Sequence, residues 1–100
     1  MNLLSIYVSE KQHHGGMPTY EWLLKEARGM GVHGGSAFRA IASFGRHGHM
    51  HEQTFFELAG ELAVKVEFVI DDALADKLLE VVKKNKLNLF YTKQPIQASA

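Results

Sequence analysis

Apolar and polar residues alternate along much of the chain, as they do in β-strands that bury one face. The clearest case is the stretch 64–70, where valine, phenylalanine and isoleucine share one face while Lys65 and Glu67 point the other way. Four stretches are predicted as strands: 4–9, 36–44, 64–70 and 87–92. In the second of them, alternation places Arg39 on the same face as Ile41 and Ser43. The opposite face then carries Phe38, Ala40, Ala42 and Phe44.

Two other stretches carry apolar residues at helical spacing. The first is predicted to start at Pro18, where the missing N–H of proline costs nothing, and to end at Gly29 or Gly31. Its apolar stripe consists of Tyr20, Leu23, Leu24 and Ala27. The second is capped by Asp71 or Asp72. Its buried stripe consists of Leu74, Leu78, Val81 and Val82.

The order β-α-β-β-α-β predicts an α+β, ferredoxin-like domain that covers residues 1–100, with a frayed tail at 97–100. Two right-handed crossovers place both helices on one face of a four-stranded antiparallel sheet. The bare face would carry residues such as Ile41, and burial against other subunits would remove it from water. The alternative is a monomer with an amphipathic open face.

Composition excludes several classes of function. Of the 100 residues, 46% are hydrophobic and 22% charged, which is typical of a globular protein rather than a disordered one. The formal net charge of zero offers no overall field for nucleic acid. Without cysteine there is no disulfide, thiolate zinc site or Cys nucleophile, and no serine has the surroundings of a nucleophile, so no enzyme is predicted. The absence of a leader or a long apolar run predicts a cytoplasmic protein.

A long loop at about 46–60 separates the second and third predicted strands, and loops of this length are usually functional or disordered. At its start His47, His49 and His51 alternate, so an extended backbone would put them on one face, where a pair could bind Zn²⁺, Ni²⁺ or Cu²⁺. The alternative is a mobile polar loop that is rich in histidine. Phe55 and Phe56 are candidate contacts for a partner protein, unless they pack back onto the domain.

The root of this loop offers donors for an anion. Arg39 lies on the second strand, Gly45 and Arg46 open the loop, and Gly34 and Gly35 precede the strand. Guanidinium groups and backbone N–H groups of this kind could converge on a phosphate. The alternatives are an intersubunit salt bridge between Arg39 and Glu67, and glycines that only shape turns. His13 and His14, in the polar loop after the first strand, are predicted to contact solvent.

Residues 16–45, "GMPTYEWLLKEARGMGVHGGSAFRAIASFG", resemble the small PII-like proteins of unknown function, relatives of the nitrogen-signalling protein PII. That family has a Gly-x-Pro-x-Tyr-Glu entry to its first helix, then an Ala-Arg pair, a Gly-rich turn and an Arg-Gly-Ile strand that ends in Phe-Gly. Met50-His51 and the stretch 66–71 also resemble family positions. Ala40, Ser43 and Ala63 depart from it, since glycine, glycine and proline are usual there.

The resemblance implies a homotrimer whose sheets pack around a three-fold axis. It also implies adenine nucleotides bound in clefts between subunits, a long loop that contacts partner proteins, and no enzymatic activity. We therefore expect a PII-like regulatory protein that binds a small anionic ligand, an adenine nucleotide, through Arg39, Gly45 and Arg46. Two alternatives stay open. One is a trimer that binds a divalent metal through the histidines, as the copper-tolerance relatives of PII suggest, and the other is an interaction module whose loop binds a membrane protein without any small ligand.

Overall fold

The structure is a computed structural model that describes residues 1–44 and 62–99. Its elements, in chain order, are β1 (Asn2–Ser9), β2 (His13–His14), β3 (Met17–Pro18), α1 (Thr19–Gly29), β4 (Gly35–Arg39), β5 (Ala63–Ile70), α2 (Asp72–Lys84) and β6 (Phe90–Pro95). Within these residues β4, β5, β1 and β6 form one antiparallel sheet in that order, while β2 and β3 form a short hairpin. The two helices connect strands of the larger sheet. The predicted ferredoxin-like α+β fold is confirmed.

The core lies between the helices and one face of the sheet. Leu4 is paired with Phe68 and Ile6 with Val66, and all four side chains are buried. Both helices contribute to the same apolar cluster, with Trp22, Leu23 and Ala27 from α1 and Ala75, Leu78 and Val82 from α2. Burial of each large apolar side chain contributes roughly 1.5–3 kcal/mol. The alternation of β5 therefore predicted the buried face correctly.

The helix stripes were predicted in part. Leu23 and Ala27 of α1 and Leu78 and Val82 of α2 are buried as expected, whereas Tyr20, Leu24, Leu74 and Val81 are only half-buried at the margins. Trp22 is buried although the stripe omitted it. Asp71 is the N-cap of α2, since its Oδ1 accepts a 2.8 Å hydrogen bond from the Leu74 N–H. No helix in the described parts of the chain is long and apolar enough to cross a membrane.

The prediction for the second strand was wrong in length and in the face assigned to Arg39. β4 ends at Arg39, five residues before the predicted end, and only the Ala40 N–H still bonds to β5, at 2.8 Å from the Ala63 carbonyl oxygen. Ile41 lies beyond the strand, 98% exposed, and is not part of the bare sheet face. Arg39 is instead opposite Val64, whose side chain is buried on the helix side. The pairing with β5 determines the face, because residues directly opposite each other in a sheet share one.

The uncovered side of the sheet, called the open face here, is rich in apolar groups. Phe38, Lys65, Tyr7 and Phe90 lie opposite one another in a single row across all four strands. Phe38, Val69 and Phe90 are 51%, 46% and 68% exposed, and half-buried Leu3 lies opposite Val69. The Lys65 ammonium stands 5.7 Å from the centre of the Phe38 ring and 3.0 Å from the Glu67 carboxylate. The open face is therefore apolar, as predicted, but its exposed apolar residues include Phe38 and Phe90 and not Ile41, the residue that the sequence analysis named as an example.

The last strand also differs from its prediction. β6 runs from Phe90 to Pro95, whereas the expected strand was 87–92. Residues 85–87 follow α2 and cap its C-terminal end, because the Leu87 N–H donates to the Val82 carbonyl at 3.2 Å. Pro95 is the last residue of the strand and lies opposite Asn2. A proline is tolerated there because β6 is an edge strand.

Candidate functional site

A cleft of about 420 Å³ lies at the end of the sheet from which the long connection between β4 and β5 departs. Of the residues that the structure describes, five line it: Glu10, Tyr20, Ala37, Arg39 and Val64. They come from four different parts of the fold, namely the end of β1, the first turn of α1, β4 and the start of β5. The cleft therefore forms only when the sheet and the first helix are assembled.

Arg39 reaches this cleft because of its position in the sheet. It is the last residue of an edge strand and is directed to the helix side, two residues after the small side chain of Ala37. The Arg39 side chain remains 63% exposed. A guanidinium in this position keeps several of its donors available, and its planar fork suits phosphate or carboxylate oxygens.

Glu10 is the ion-pair partner of Arg39. Its Oε1 lies 2.9 Å from Arg39 Nη1, and its Oε2 accepts a 3.3 Å hydrogen bond from the Leu62 N–H. The backbone N–H of Glu10 in turn donates to the Leu62 carbonyl at 3.0 Å. The hydrogen bond from the Arg39 guanidinium lowers the pKa of the Glu10 carboxyl below its ordinary value of 4.5, and the Leu62 N–H lowers it further. Glu10 is therefore an anion at neutral pH.

Tyr20 supplies an aromatic ring at the beginning of α1. The helix starts after Pro18, which makes no side-chain cap, and the Thr19 N–H is satisfied by the Gln12 carbonyl at 2.9 Å. Since Tyr20 lies in the first turn, the cleft is next to the positive end of the helix dipole. The cleft thus combines a guanidinium, an aromatic ring and a helix N-terminus with one carboxylate.

Two of the three glycines predicted to bind an anion lie elsewhere. Gly34 and Gly35 are at the opposite end of β4 from Arg39, and neither lines the cleft. Gly35 has a packing reason to be glycine: a Cβ there would lie 2.5 Å from Cε1 of Phe68, the residue opposite it. The close approach of β4 to β5 at this point requires the missing side chain.

Several predicted functional residues fall outside the described residues. They are Gly45 and Arg46 of the anion site, His47, His49 and His51 of the metal site, and Phe55 and Phe56 of the partner loop. In the part of the chain that the structure describes, no group of three or more acidic or histidine side chains is placed to hold a metal ion.

Two predicted contacts can be compared with the structure. The intersubunit salt bridge between Arg39 and Glu67 stays a prediction; within one chain Glu67 lies on the open face, paired with Lys65 at 3.0 Å, while Arg39 is on the helix side. His14 is a packing residue: its ring meets the Trp22 ring edge-on at 4.6 Å, and its Nε2 lies 3.2 Å from Asn85 Oδ1. Only His13 is exposed as predicted.

Sequence reasoning missed Glu10 and Tyr20 as site residues. Glu10 is the first charged residue after β1, a common place for a polar side chain, and its partner Arg39 is 29 positions away. No local pattern connects them. Tyr20 was assigned to the apolar stripe of α1. Its role in the cleft is indicated only by the structure, where its side chain is half-buried.

Comparison with known proteins agrees with the resemblance found in the sequence. Residues 1–98 match the model of the family DUF190, described as "Uncharacterized ACR". A UPF0166 protein of Aquifex aeolicus is 35% identical over 81 residues, which are 81% of this chain and 77% of that protein. The family match extends over β1 to β6, and both matches are consistent with the expected PII-like family of unknown function. The chain belongs to the DUF190 family of uncharacterised proteins.

Proposed function

We propose that this protein is a PII-like regulatory protein that binds a small anionic ligand, an adenine nucleotide, in the cleft at Arg39. The observation that carries the proposal is the position of Arg39: its exposed guanidinium lines a cleft of about 420 Å³ beside Tyr20. A phosphate is bound well by a guanidinium with free donors. The adenine ring would pack against an aromatic side chain, and Tyr20 lines the cleft.

The proposal includes a homotrimer in which the open face is covered by other subunits. Phe38, Val69 and Phe90 together expose large apolar groups on one side of a single sheet. Several large apolar side chains exposed on one face of a sheet favour an interface over a free surface. In a symmetric assembly, the cleft beside α1 would lie at the margin of the sheet, where a neighbouring subunit could complete it.

The position of the cleft also suggests how a ligand would be sensed. Arg39 ends β4, so the connection to β5 leaves from the cleft, and it returns at Leu62, which is bonded to Glu10. A ligand at Arg39 would therefore bias the conformations of this connection, which the resemblance expects to contact a partner protein. Such a bias requires only that the ligand bind one conformation more tightly.

A thermal-shift screen tests the proposal. Metal-stripped protein is heated with AMP, ADP, ATP, Zn²⁺, Ni²⁺ or Cu²⁺, and a nucleotide at a hundred times its dissociation constant should add about 2.7 kcal/mol of stability. The shift should fall to about half or less in Arg39→Ala at the same nucleotide concentration, since a hydrogen-bonded charged contact contributes about 1.5–3 kcal/mol. Arg28→Ala is the matched control, because Arg28 is an exposed arginine in the last turn of α1, at the other end of the helix from Tyr20.

The same screen separates the alternatives. A shift with a metal alone would replace the nucleotide by a divalent cation and point to His47, His49 and His51, which could then be tested by substitution. No shift with any ligand would leave a pure interaction module. Light scattering on protein that elutes from a size-exclusion column gives the number of chains per particle. A monomer would contradict the proposed trimer.

A further inference from the structure

One carboxylate joins the two ends of the connection between β4 and β5. Glu10 Oε1 holds Arg39, the residue before the connection, and Glu10 Oε2 holds the N–H of Leu62, the residue at its end. Both bonds use the same side chain, which is only 21% exposed. A movement of this carboxylate therefore changes both contacts at once.

Glu10 also binds the Arg39 guanidinium, the group that the proposed ligand needs. Its carboxylate lies 2.9 Å from the guanidinium and lines the same cleft, so it is in effect an anion already bound to Arg39. An incoming phosphate would be repelled by this negative charge as long as the carboxylate stayed in place. The pair is open to competition, because Arg39 is 63% exposed and ion pairs in contact with water are weak.

We infer that Glu10 is an internal competitor for Arg39, so that an anionic ligand binds the guanidinium by displacing the Glu10 carboxylate and thereby releases the Leu62 N–H. This inference rests on the proposed function, since it assigns a regulatory role within the same site. It gives Glu10 a negative effect on affinity, unlike a residue that positions Arg39. It also identifies Leu62 as the first group outside the cleft to respond to a ligand.

Affinity for ATP tests the competition. Glu10→Gln removes the charge but keeps an oxygen that can accept from the Leu62 N–H, so the local fold is retained. We expect ATP to bind Glu10→Gln roughly two- to fivefold more tightly than the unaltered protein, the range that an exposed ion pair allows. Asp72→Asn is the matched control: it removes one carboxylate from a 3.5 Å ion pair with Lys93, beside Asn2 at the opposite end of β1 from Glu10, and should leave the affinity unchanged. Equal or weaker binding by Glu10→Gln, or the same gain in Asp72→Asn, overturns the inference.

A second probe separates this inference from the proposed function. Sulfate is titrated into both proteins while the Arg39 Nε–H resonance is followed by NMR, and the midpoint should fall two- to fivefold in Glu10→Gln. If ATP binds no variant but sulfate shows this difference, the nucleotide proposal is wrong and the competition stands. If ATP binds and neither probe distinguishes the two proteins, the competition is wrong and the nucleotide proposal stands.

Hydrogen exchange reports on the release of Leu62. In the unaltered protein, saturating sulfate should accelerate exchange of the Leu62 amide, which loses its acceptor. The Glu10 amide serves as an internal reference, because it donates to the Leu62 carbonyl at 3.0 Å and should keep its protection. Unchanged exchange at Leu62, or equal acceleration at both amides, would contradict the coupling.

Discussion

Gly31 and Lys86 occupy the same position at the ends of the two helices, and both have a positive φ, 96° and 59°. In each case the next residue donates its N–H to a carbonyl five positions back, Val32 to Ala27 and Leu87 to Val82. This hydrogen bond is the mark of the Schellman motif, which favours glycine at the left-handed position. The first helix therefore ends with the preferred residue, and the second ends with a lysine held in a conformation that costs it free energy.

Lys86→Gly should stabilise the protein. A left-handed conformation costs a residue with a Cβ roughly 1–2 kcal/mol, part of which glycine gives back through its greater freedom in the unfolded chain. We expect a net gain of about 0.5–1 kcal/mol in the free energy of unfolding, measured with urea at a fixed protein concentration. Lys77→Gly, at an exposed position inside α2, is the control and should destabilise by about 1 kcal/mol.

Gly35→Ala should destabilise the protein, because its new Cβ would lie 2.5 Å from Cε1 of Phe68, a buried ring. Overpacking of this kind typically costs about 1–3 kcal/mol. Gly34→Ala is the matched control, since a Cβ there meets no atom within 4 Å. Urea unfolding of the two variants should separate them clearly. A result in which both lose the same stability would mean that the backbone, and not Phe68, sets the need for glycine.

The Glu10–Arg39 pair should make stability depend on pH in the acidic range. The pKa of Glu10 is lowered in the folded state, so its contribution to stability is fully present above its ordinary value of 4.5 and is lost as the pH falls through the folded pKa. Asp72, whose pKa is lowered chiefly by a hydrogen bond from Asn2, adds a similar dependence. The stability difference between the unaltered protein and Glu10→Gln, measured at intervals from neutral to acidic pH, isolates Glu10. That difference should shrink below pH 4.5, and a constant difference would contradict the ion pair.

Val69→Glu should dissociate the proposed trimer. Val69 is 46% exposed on the open face, and a carboxylate buried there without a partner would cost several kcal/mol. Ala73→Glu is the matched control, since Ala73 is exposed on α2, which packs on the other side of the sheet. Light scattering at equal concentrations should give a smaller particle for Val69→Glu only. Retention of the same particle by both variants would show that assembly does not use the open face.

The sequence predicted those parts of the fold that depend on local periodicity. β5 was identified because its four buried residues alternate with Lys65, Glu67 and Val69, and the cap was narrowed to Asp71 or Asp72 because carboxylates favour that position. The face assigned to Arg39 was wrong because it depends on which residue of β5 lies opposite, and pairing between distant strands leaves no local trace. The Glu10–Arg39 contact was missed for the same reason. The end of α2 was hard to place because a lysine, not a glycine, takes the left-handed position.

The two free edges of the sheet have different chemistry. β6 carries Lys93 and ends in Pro95, and a proline cannot donate a hydrogen bond to an added strand. β4 is only five residues long and ends in the charged Arg39. Short, charged or proline-ended edges discourage strand-to-strand growth into fibrils. Edges of this kind leave the flat of the sheet as the surface for the association proposed above, and concentrated solutions of the protein should stay free of fibrils.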